Sequence, residues 1–461
     1  MKKYSLKEIA KNINGNLYGS NLFVNKFSTD SRNINNGDVF ICLKGKNYDG
    51  HDFIEDSLLS ASCIISSKNI HNINLKKNSY IKVDDTLKAL QDLSLYVRQQ
   101  SKAKFIAITG SNGKTTVKEM VAHILSDYNV TYTKGNLNNH IGVPITLLSL
   151  NNDEDFVVIE AGANHLGEID VLAKLIQPDV AAVTNIGYAH IEGFGNLENT
   201  AKEKYSLFNS VKKNGVVVIN NQDKYHKKIV CKSKKIYFGD HENFLNKIIK
   251  VIKNLFYETN FLYIKKINNN TMELNYLKYK ESFKLNLNGE HNFLNSACAA
   301  SIAISLGISL KDIKKKLETF KPVSSRLKIH KLENGITIID DCYNANPSSF
   351  KAAILFLSSL NEKKLVLMGD MVELGNDARK FHTEIGEYAK AQGVSKFLSI
   401  GSHSKFASDV FGENGYHFES ADRLKSFLNN SIDSYSCILI KGSRSSKLEE
   451  YVEFLKNRSN K

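Results

Sequence analysis

The sequence lacks the features that mark several common protein classes. No apolar run approaches the roughly 18 residues needed to cross a membrane. The N-terminal stretch MKKYSLKEIAKNING has two lysines but no apolar segment behind them, so a secretory signal is not expected. The six cysteines form neither a CxxC pair nor a metal-ligand spacing, which favours free thiols in a reducing compartment. We therefore expect a cytoplasmic protein.

Nucleic-acid signatures are also missing, although the net charge is +14. The lysines are spread along the chain, and no RNP, zinc-finger or helix-turn-helix pattern accompanies them. The densest cluster, residues 236–267, alternates lysines with apolar residues, as solvated amphipathic faces do. We expect no nucleic-acid partner, and a positive field serves equally well to attract a polyanionic small substrate.

The pattern along the 461 residues predicts an α/β protein with three domains. Residues 1–100 combine helical spacing with short β-rich runs and predict a small α/β domain. Residues 101–322 alternate apolar strands with helical patterns, which is typical of a parallel sheet covered on both faces. The alternation restarts at residue 323 and predicts a Rossmann-like α/β domain over 323–461.

The segment IAITGSNGKTT, residues 106–116, has the composition of a phosphate-binding loop at a strand-to-helix turn. Backbone N–H groups and the helix dipole favour a phosphate there, Lys114 would reach the outer phosphates, and the Thr115 hydroxyl would ligate Mg²⁺. Only two residues separate the glycines, where the common loop has four, so a subclass is required. The alternative is a glycine-rich turn with a lysine in the first helical turn. The predicted nucleotide-binding residues are Gly110, Ser111, Asn112, Gly113, Lys114, Thr115 and Thr116.

Polar residues follow the next two strands of the same region. Glu160 ends the run VVIE, and a carboxylate at the end of a parallel strand suits Mg²⁺. His190 follows the next strand, where a metal ligand and a turn histidine bonded to backbone are equal alternatives. Lys204, judged by residue type alone, is one more charge on a solvated helix.

Three polar clusters follow strands of the C-terminal region: DDCYNANPSS, GDMVELG and KGSRSSKLEE. Because the carboxyl ends of parallel strands meet at one edge of a sheet, these clusters predict a single lined crevice.

Together these segments resemble the ATP-dependent Mur ligases of bacterial cell-wall synthesis. TGSNGKTT is similar to the short phosphate loop of that family, so the unusual spacing is a family trait. The resemblance covers nearly the whole chain; at one departure, His140 stands where many relatives carry Glu. Its other landmarks are STDSRNINNGDVFICLKGKNYDGHDF, KGNLNNHIGVP, VVIEAGANHLGEI, GEHNFLNSACAA, SSRLKIH, DDCYNANP, GDMVELG and ILIKGSR.

The resemblance implies roles for individual residues around ATP and two Mg²⁺ ions. Lys204 falls where the family carries a carbamylated lysine, whose anionic oxygens would serve a second ion. The implied metal ligands are Thr115, Glu160, His190 and carbamylated Lys204. ATP would further be held by Asn292 at the adenine and by Arg326 and Asp341 at the phosphates and ribose. The implied catalytic residues are Lys114, Lys204, His190 and Arg326, and the implied substrate contacts are Ser31, Arg32, Asn138, Tyr343, Asn344 and Asn346.

Within the family, the segment YNANP at residues 343–347 favours the member that joins D-alanyl-D-alanine to a UDP-N-acetylmuramoyl-tripeptide through an acyl phosphate. The N-terminal domain would bind the UDP end, the central domain MgATP and the C-terminal domain the dipeptide, in a monomer. Alternatives are the ligase that adds the third residue, whose Asp-Asn-Pro-Arg motif is absent, and a folylpolyglutamate synthetase, which the UDP-type N-terminal segment disfavours. From another class, an ATP-sensing binding module would not need Asn292, Arg326 and Asp341.

Overall fold

The computed structural model describes residues 3–71, 74–75, 77–240, 260–268, 270–321, 326–360 and 363–459. Three main sheets follow one another along the described chain, each with its own helices, beside a small two-stranded sheet in the N-terminal region. The predicted α/β class with three domains is confirmed. The second predicted boundary, at residues 322–323, lies outside the described residues, as do Ser324 and Ser325 of the SSRLKIH segment. Both boundaries stay predictions.

The N-terminal domain is built on a five-stranded sheet in the order β2-β7-β6-β5-β4, parallel except for the β2–β7 pair. Its first helix begins at Ser5, whose hydroxyl accepts from the Glu8 N–H in a capping box. The elements are β1 Tyr4–Ser5, α1 Leu6–Asn12, β2 Asn16–Tyr18, β3 Phe23–Val24, β4 Lys26–Ser28, β5 Asp38–Ile41, α2 Ile54–Leu58, β6 Cys63–Ser66, β7 Ser79–Lys82 and α3 Thr86–Gln100.

The central domain has nine strands in the order β16-β15-β14-β13-β12-β11-β8-β10-β9. The strands from β8 to β14 are parallel, as predicted, but β15 and β16 are antiparallel. The connections of four and two residues that precede them are too short to join parallel neighbours. The elements are β8 Lys104–Thr109, α4 Lys114–Ile124, β9 Val130–Tyr132, α5 Gly142–Leu148, β10 Phe156–Glu160, α6 Glu168–Ile176, β11 Val180–Val183, α7 Ile191–Phe194, α8 Leu197–Tyr205, β12 Val216–Asn220, β13 Lys234–Asp240, β14 Asn260–Lys266, β15 Thr271–Tyr276, β16 Tyr279–Lys284, α9 His291–Ser305 and α10 Leu310–Thr319. The lysine cluster at 236–267 includes parts of β13 and β14, and its middle, 241–259, lies outside the described residues.

The C-terminal domain has six strands in the order β17-β18-β22-β19-β20-β21, parallel except for the β17–β18 pair. All four strands expected after residue 323 are present. The elements are β17 Lys328–Lys331, β18 Thr337–Asp341, α11 Pro347–Ser358, β19 Lys364–Gly369, α12 Ala378–Ala391, β20 Lys396–Ile400, α13 Lys405–Phe411, β21 Gly415–Phe418, α14 Ala421–Ser431, β22 Cys437–Lys441 and α15 Glu449–Ser459.

Apolar cores lie on both faces of each of the three main sheets, and one of them is shared between domains. Residues of the N-terminal sheet and α3 pack in one cluster with one face of the central sheet. Arg98 of α3 strengthens this junction: its guanidinium donates to the carbonyls of Ile176 and Gln177 and stacks on the Phe105 ring. Within the described residues, no helix is long and apolar enough to cross a membrane.

The strand orders bring the functional loops together. In the central sheet β8 lies between β10 and β11, so the chain leaves it in both directions and the loops after all three strands meet at the carboxyl edge. In the C-terminal sheet the last strand, β22, lies between β18 and β19, so the loops after these three strands also meet at one edge. Crevices at such crossover points are where open α/β sheets bind ligands. The two edges touch, because the Asn112 side chain in the loop after β8 bonds Ser348 at the start of α11.

Candidate active site between the central and C-terminal domains

The loop between β8 and α4 has a backbone that only glycine fits at two positions. Gly110 has a φ of 146°, and a Cβ there would lie 2.0 Å from Thr184 Oγ1. Gly113 has a φ of 81°, and a Cβ there would lie 2.3 Å from Asn295 Oδ1. Both glycines of the short motif are therefore required for the turn, which rules out a loosely constrained surface loop.

The residues that follow β11 fix the loop through hydrogen bonds to its backbone. Thr184 Oγ1 donates to the Asn112 carbonyl at 2.6 Å. Asn185 accepts twice, through its carbonyl from the Ser111 N–H at 2.9 Å and through Oδ1 from the Asn112 N–H at 3.0 Å. The loop is fixed before any phosphate binds, and the first N–H groups of α4, which have no partner inside the helix, are left to receive an anion.

Lys114 and Thr115 stand at the start of α4, as the motif predicts. Lys114 Nζ donates to the Gly110 carbonyl at 2.7 Å, and enclosure lowers the pKa of this amine while the nearby Glu160 carboxylate opposes that shift. Thr115 Oγ1 accepts from Arg326 Nη2 at 3.0 Å. An arginine from the far side of the cleft thus reaches the phosphate loop.

Glu160, at the end of β10, has one free and buried oxygen. The residue is 2% exposed, and its Oε1 accepts from Asn138 Nδ2 at 2.8 Å. Its Oε2 is buried and has no hydrogen-bond partner among the described residues. A buried carboxylate oxygen without a partner is costly unless a cation or ligand takes it, and oxygen is the donor that Mg²⁺ prefers. Within the described ranges no group of three or more His, Cys, Asp and Glu is arranged to hold a metal, so such an ion would need phosphate and water oxygens as well.

Lys204 is fully buried, so the interpretation of a solvated charge is wrong. Its helix α8 packs on the loop after β10, since the Glu203 carboxylate accepts from the N–H groups of Gly167 and Ile169, each at 2.7 Å. Lys204 Nζ donates to the Ala163 carbonyl at 3.4 Å. Burial, helped by the positive charge of Lys114, lowers the pKa of Lys204 to about 7. A large fraction of this amine is therefore neutral and nucleophilic near neutral pH.

His190 lies in the left-handed region, with a φ of 55°. Its Nδ1 contacts the carboxylate of Glu373, which comes from the GDMVELG loop of the C-terminal domain. The close contact with the His190 imidazole lowers the pKa of Glu373. The imidazole nitrogen thus contacts a carboxylate from the other domain. The alternative of a turn histidine bonded only to backbone did not predict this contact.

The residues after β18 form the C-terminal wall of the cleft. Asp341 accepts from Lys441 Nζ at 2.6 Å and from the Leu327 N–H at 3.2 Å. The Arg326 guanidinium lies 4.3 Å from the centre of the Tyr343 ring. Asp341 is therefore bonded both to the next strand and to the segment that carries Arg326.

Asn346 and Asn112 bond to each other across the cleft. Asn346 Nδ2 donates to Asn112 Oδ1 at 2.7 Å, and Asn112 Nδ2 donates to Ser348 Oγ at 2.9 Å. Asn346 Oδ1 meanwhile caps α11 by accepting from the Ser349 N–H at 2.9 Å. The Asn346 amide is thus already engaged in closing the domains and capping a helix.

Asn292 lies in the first turn of α9 and lines the same cavity. Its Nδ2 donates to the Asn288 carbonyl at 2.6 Å, and its Oδ1 accepts from Asn295 Nδ2 at 2.9 Å. An amide offers two N–H donors and two lone pairs, so one of each is left for a ligand. The adjacent His291, which the sequence did not single out, lines the same cleft.

Most of the predicted residues line one cavity of about 620 Å³. Gly110 and the buried Lys204 are not on its wall, and Ser31 and Arg32 lie outside it in the N-terminal domain, where Arg32 pairs with Asp30 at 2.8 Å. Of the predicted residues, the wall contains Ser111, Asn112, Gly113, Lys114, Thr115, Thr116, Asn138, Glu160, His190, Asn292, Arg326, Asp341, Tyr343, Asn344 and Asn346.

The single crevice predicted from three C-terminal clusters is only partly correct. Lys441 reaches the cavity, and its position at the end of β22 was the available signal. Asp370, which ends the KLVLMGD run, instead accepts from the backbone N–H groups of Ser402, His403 and Ser404. A carboxylate engaged by three backbone donors holds a loop and is not part of the cavity wall.

Comparison with known proteins agrees with this architecture. Residues 24–98 match the Mur ligase family catalytic domain, 108–303 the Mur ligase middle domain and 325–444 the Mur ligase glutamate ligase domain. The chain is 36% identical over 460 residues to the UDP-N-acetylmuramoyl-tripeptide–D-alanyl-D-alanine ligase of Escherichia coli (strain K12), covering 98% of each.

Two solved structures are similar over almost their full length. A crystal structure of MurF from Acinetobacter baumannii has a TM-score of 0.89 and 30% identity, covering 100% of both chains. MurF from Thermotoga maritima in complex with ADP has a TM-score of 0.82 and 25% identity, covering 95% of this chain and 98% of that one. The chain therefore belongs to the Mur ligase family, in its group of UDP-N-acetylmuramoyl-tripeptide–D-alanyl-D-alanine ligases.

Proposed function

We propose that this protein is an ATP-dependent ligase that joins D-alanyl-D-alanine to UDP-N-acetylmuramoyl-tripeptide in the cytoplasmic synthesis of peptidoglycan precursors. The observation that carries the proposal is the convergence of the phosphate loop, Glu160 and Arg326 on one cavity between two domains. The Thermotoga relative was solved with ADP, and the Escherichia relative is named for this ligation, which supports the same chemistry here.

The reaction proceeds in two steps, and the first brings a carboxylate close to a negatively charged triphosphate. The terminal carboxylate of the tripeptide attacks the γ-phosphorus of ATP, which forms an acyl phosphate and releases ADP. The dipeptide amine then attacks the acyl carbon, phosphate leaves, and the amine loses a proton. A carboxylate and a triphosphate repel each other, so positive groups held in place supply most of the catalysis of phosphoryl transfer. Lys114 from the loop and Arg326 from across the cleft provide these charges.

The residues present fit a Mg²⁺ site. The unpartnered Glu160 Oε2 and the Thr115 hydroxyl at the loop are oxygen donors, and His190 stands on the same cavity wall. Mg²⁺ bound there supplies neutralisation of the phosphate charge. Addition of CO₂ to the neutral Lys204 amine, with loss of a proton to solvent, would give a carbamate whose oxygens could hold a second ion. The lowered pKa of Lys204, about 7, keeps the amine available for that conversion.

The other predicted residues divide between the two remaining substrates. Ser31 and Arg32 contact the UDP end in the N-terminal domain, while Asn138 holds Glu160 and borders the tripeptide. Tyr343 and Asn344 form the wall from which the dipeptide approaches, and Asn346 keeps that wall closed on the phosphate loop. Closure excludes water from the acyl phosphate, which would otherwise be hydrolysed. The enzyme acts as a monomer.

The test is phosphate release from ATP by the full chain with UDP-N-acetylmuramoyl-tripeptide, with and without D-alanyl-D-alanine. We expect release to require both substrates and to disappear in Lys114→Ala, with Lys202→Ala as a matched control on an exposed lysine. Phosphate release that requires a free diamino acid and the shorter precursor would instead identify the protein as the ligase that adds the third residue. Release that depends on none of these acceptors would favour an ATP-sensing module and sink the proposal.

A further inference from the structure

Glu373 is a residue of the C-terminal domain whose side chain contacts the central domain at His190. It lies in the loop after β19, and its carboxylate contacts Nδ1 of His190, which follows β11. The same two segments are joined through the backbone, because the Glu192 N–H donates to the Glu373 carbonyl at 3.1 Å. The contact therefore exists only while the two domains are together.

Both residues of this contact have an unfavourable backbone conformation. His190 has a φ of 55° and Glu373 a φ of 64°. Residues other than glycine uncommonly adopt this left-handed region; His does so more often than most, so Glu373 is the more unusual of the two. Such conformations cost free energy and persist at functional sites where the surroundings enforce them. Here they place a carboxylate against one nitrogen of an imidazole that also lines the cavity with Glu160.

The pairing has a known chemical consequence for a metal ligand. A histidine that binds a metal through one ring nitrogen almost always donates its other N–H, commonly to a carboxylate, which fixes the tautomer and the ring orientation. A proton on Nδ1, the nitrogen in contact with the Glu373 carboxylate, leaves the lone pair of Nε2 free to act as a ligand.

We propose that Glu373 is a positioning residue, delivered by the C-terminal domain, that holds His190 ready for the metal bound to ATP. The metal site is then completed only when the C-terminal domain closes on the central domain. This inference rests on the proposed function, since it concerns the same cavity, but it assigns the coupling between closure and metal binding to one carboxylate.

The experiment is Mn²⁺ binding to the full chain in the presence of ADP, followed by the electron paramagnetic resonance signal of free Mn²⁺. Removal of such an outer partner typically costs 10- to 100-fold in metal affinity. We expect Glu373→Gln, which keeps the shape of the side chain, to weaken Mn²⁺ binding at least ~10-fold. Glu192→Gln is the matched control, because it removes a carboxylate from α7, close to His190 in sequence, that forms no ion pair with His190 in the described part of the chain.

Two further variants distinguish positioning of His190 from a contact that only holds the two domains together. Tyr188→Leu loosens another contact between the same domains, the ring pair of Tyr188 and Phe381 at 4.9 Å. We expect it to leave Mn²⁺ affinity near the wild-type value. In a His190→Asn background, Glu373→Gln should cause no additional loss, because Glu373 acts through the imidazole.

Wild-type Mn²⁺ affinity in Glu373→Gln, an equal loss in Tyr188→Leu, or an additive loss in the His190→Asn background would each overturn the inference. These outcomes are distinct from failure of the proposed function. Ligation that proceeds normally while Glu373→Gln binds Mn²⁺ like wild type refutes only the inference. Absent ligation with the expected loss of Mn²⁺ affinity refutes only the proposed function.

Discussion

Lys204 permits a quantitative prediction, because its burial changes the protonation state of the amine. Burial and the charge of Lys114 lower the pKa of Lys204 from 10.5 to about 7. At pH 7.5 roughly three quarters of such an amine is neutral, against about one part in a thousand for an ordinary lysine. Since only the neutral amine attacks CO₂, Lys204 should form a carbamate at neutral pH several hundred-fold more readily than an exposed lysine.

The sign of the pH dependence follows from the direction of this shift. As pH falls through 7, Lys204 becomes protonated and its carbamate is lost, so phosphate release should fall over the same range. As pH rises toward 10 the amine stays neutral, so this residue sets no upper limit. Lys204→Gln cannot carry a carbamate and should reduce phosphate release at least ~100-fold, as the loss of a fixed group that stabilises transition-state charge does.

The assay is ¹³C nuclear magnetic resonance of the chain in ¹³C-labelled bicarbonate. We expect one carbamate resonance that develops with a midpoint near pH 7 and is absent from Lys204→Gln. Lys202→Gln changes an exposed lysine of the same helix and should retain it. A resonance that survives in Lys204→Gln, or one whose midpoint lies near pH 10, would refute the reasoning.

Three other substitutions test separate parts of the cleft. Gly110→Ala places a Cβ 2.0 Å from Thr184 Oγ1, so ADP affinity measured by calorimetry should fall at least ~10-fold, and an unchanged Kd would contradict the loop geometry. Arg326→Lys keeps the charge but loses the planar fork that bonds Thr115, so kcat should fall ~100-fold in steady-state assays, whereas near-normal kcat would show that charge alone suffices. Asn346→Ala removes a helix cap and should destabilise the C-terminal domain by about 1 kcal/mol, visible as a lower Tm by scanning calorimetry; a wild-type Tm would disprove it.

Local pattern predicted the elements around the site well. Residues 101–322 were expected to alternate strands with helices, and the apolar-periodic run EIDVLAKLI in that region forms α6, Glu168–Ile176. Strand ends were predicted close to their observed positions because each apolar run is followed at once by glycine or polar residues. The short phosphate loop was recognisable because its glycines and Lys114 are consecutive in sequence.

Packing between distant segments could not be predicted from spacing. Lys204 looks solvated on its own helix, and only the fold of α8 against the loop after β10 buries it. Asn112 and Asn346 bond across 234 residues of sequence, so neither motif alone reveals the contact. The antiparallel strands β15 and β16 were also not predicted, since the alternation of apolar and polar residues does not indicate which edge of the sheet a strand joins.

The measurement that tests the central claim most directly uses UDP-N-acetylmuramoyl-tripeptide labelled with ¹⁸O in the carboxylate that reacts. The account predicts that, with ATP and D-alanyl-D-alanine, one ¹⁸O atom appears in the released phosphate. The labelled peptide then gains the mass of the dipeptide minus that of H₂¹⁸O. Mass spectrometry of both products reports this in one reaction. Phosphate that carries no ¹⁸O, or label that remains entirely in the peptide, would contradict attack by that carboxylate on ATP and with it the proposed ligation.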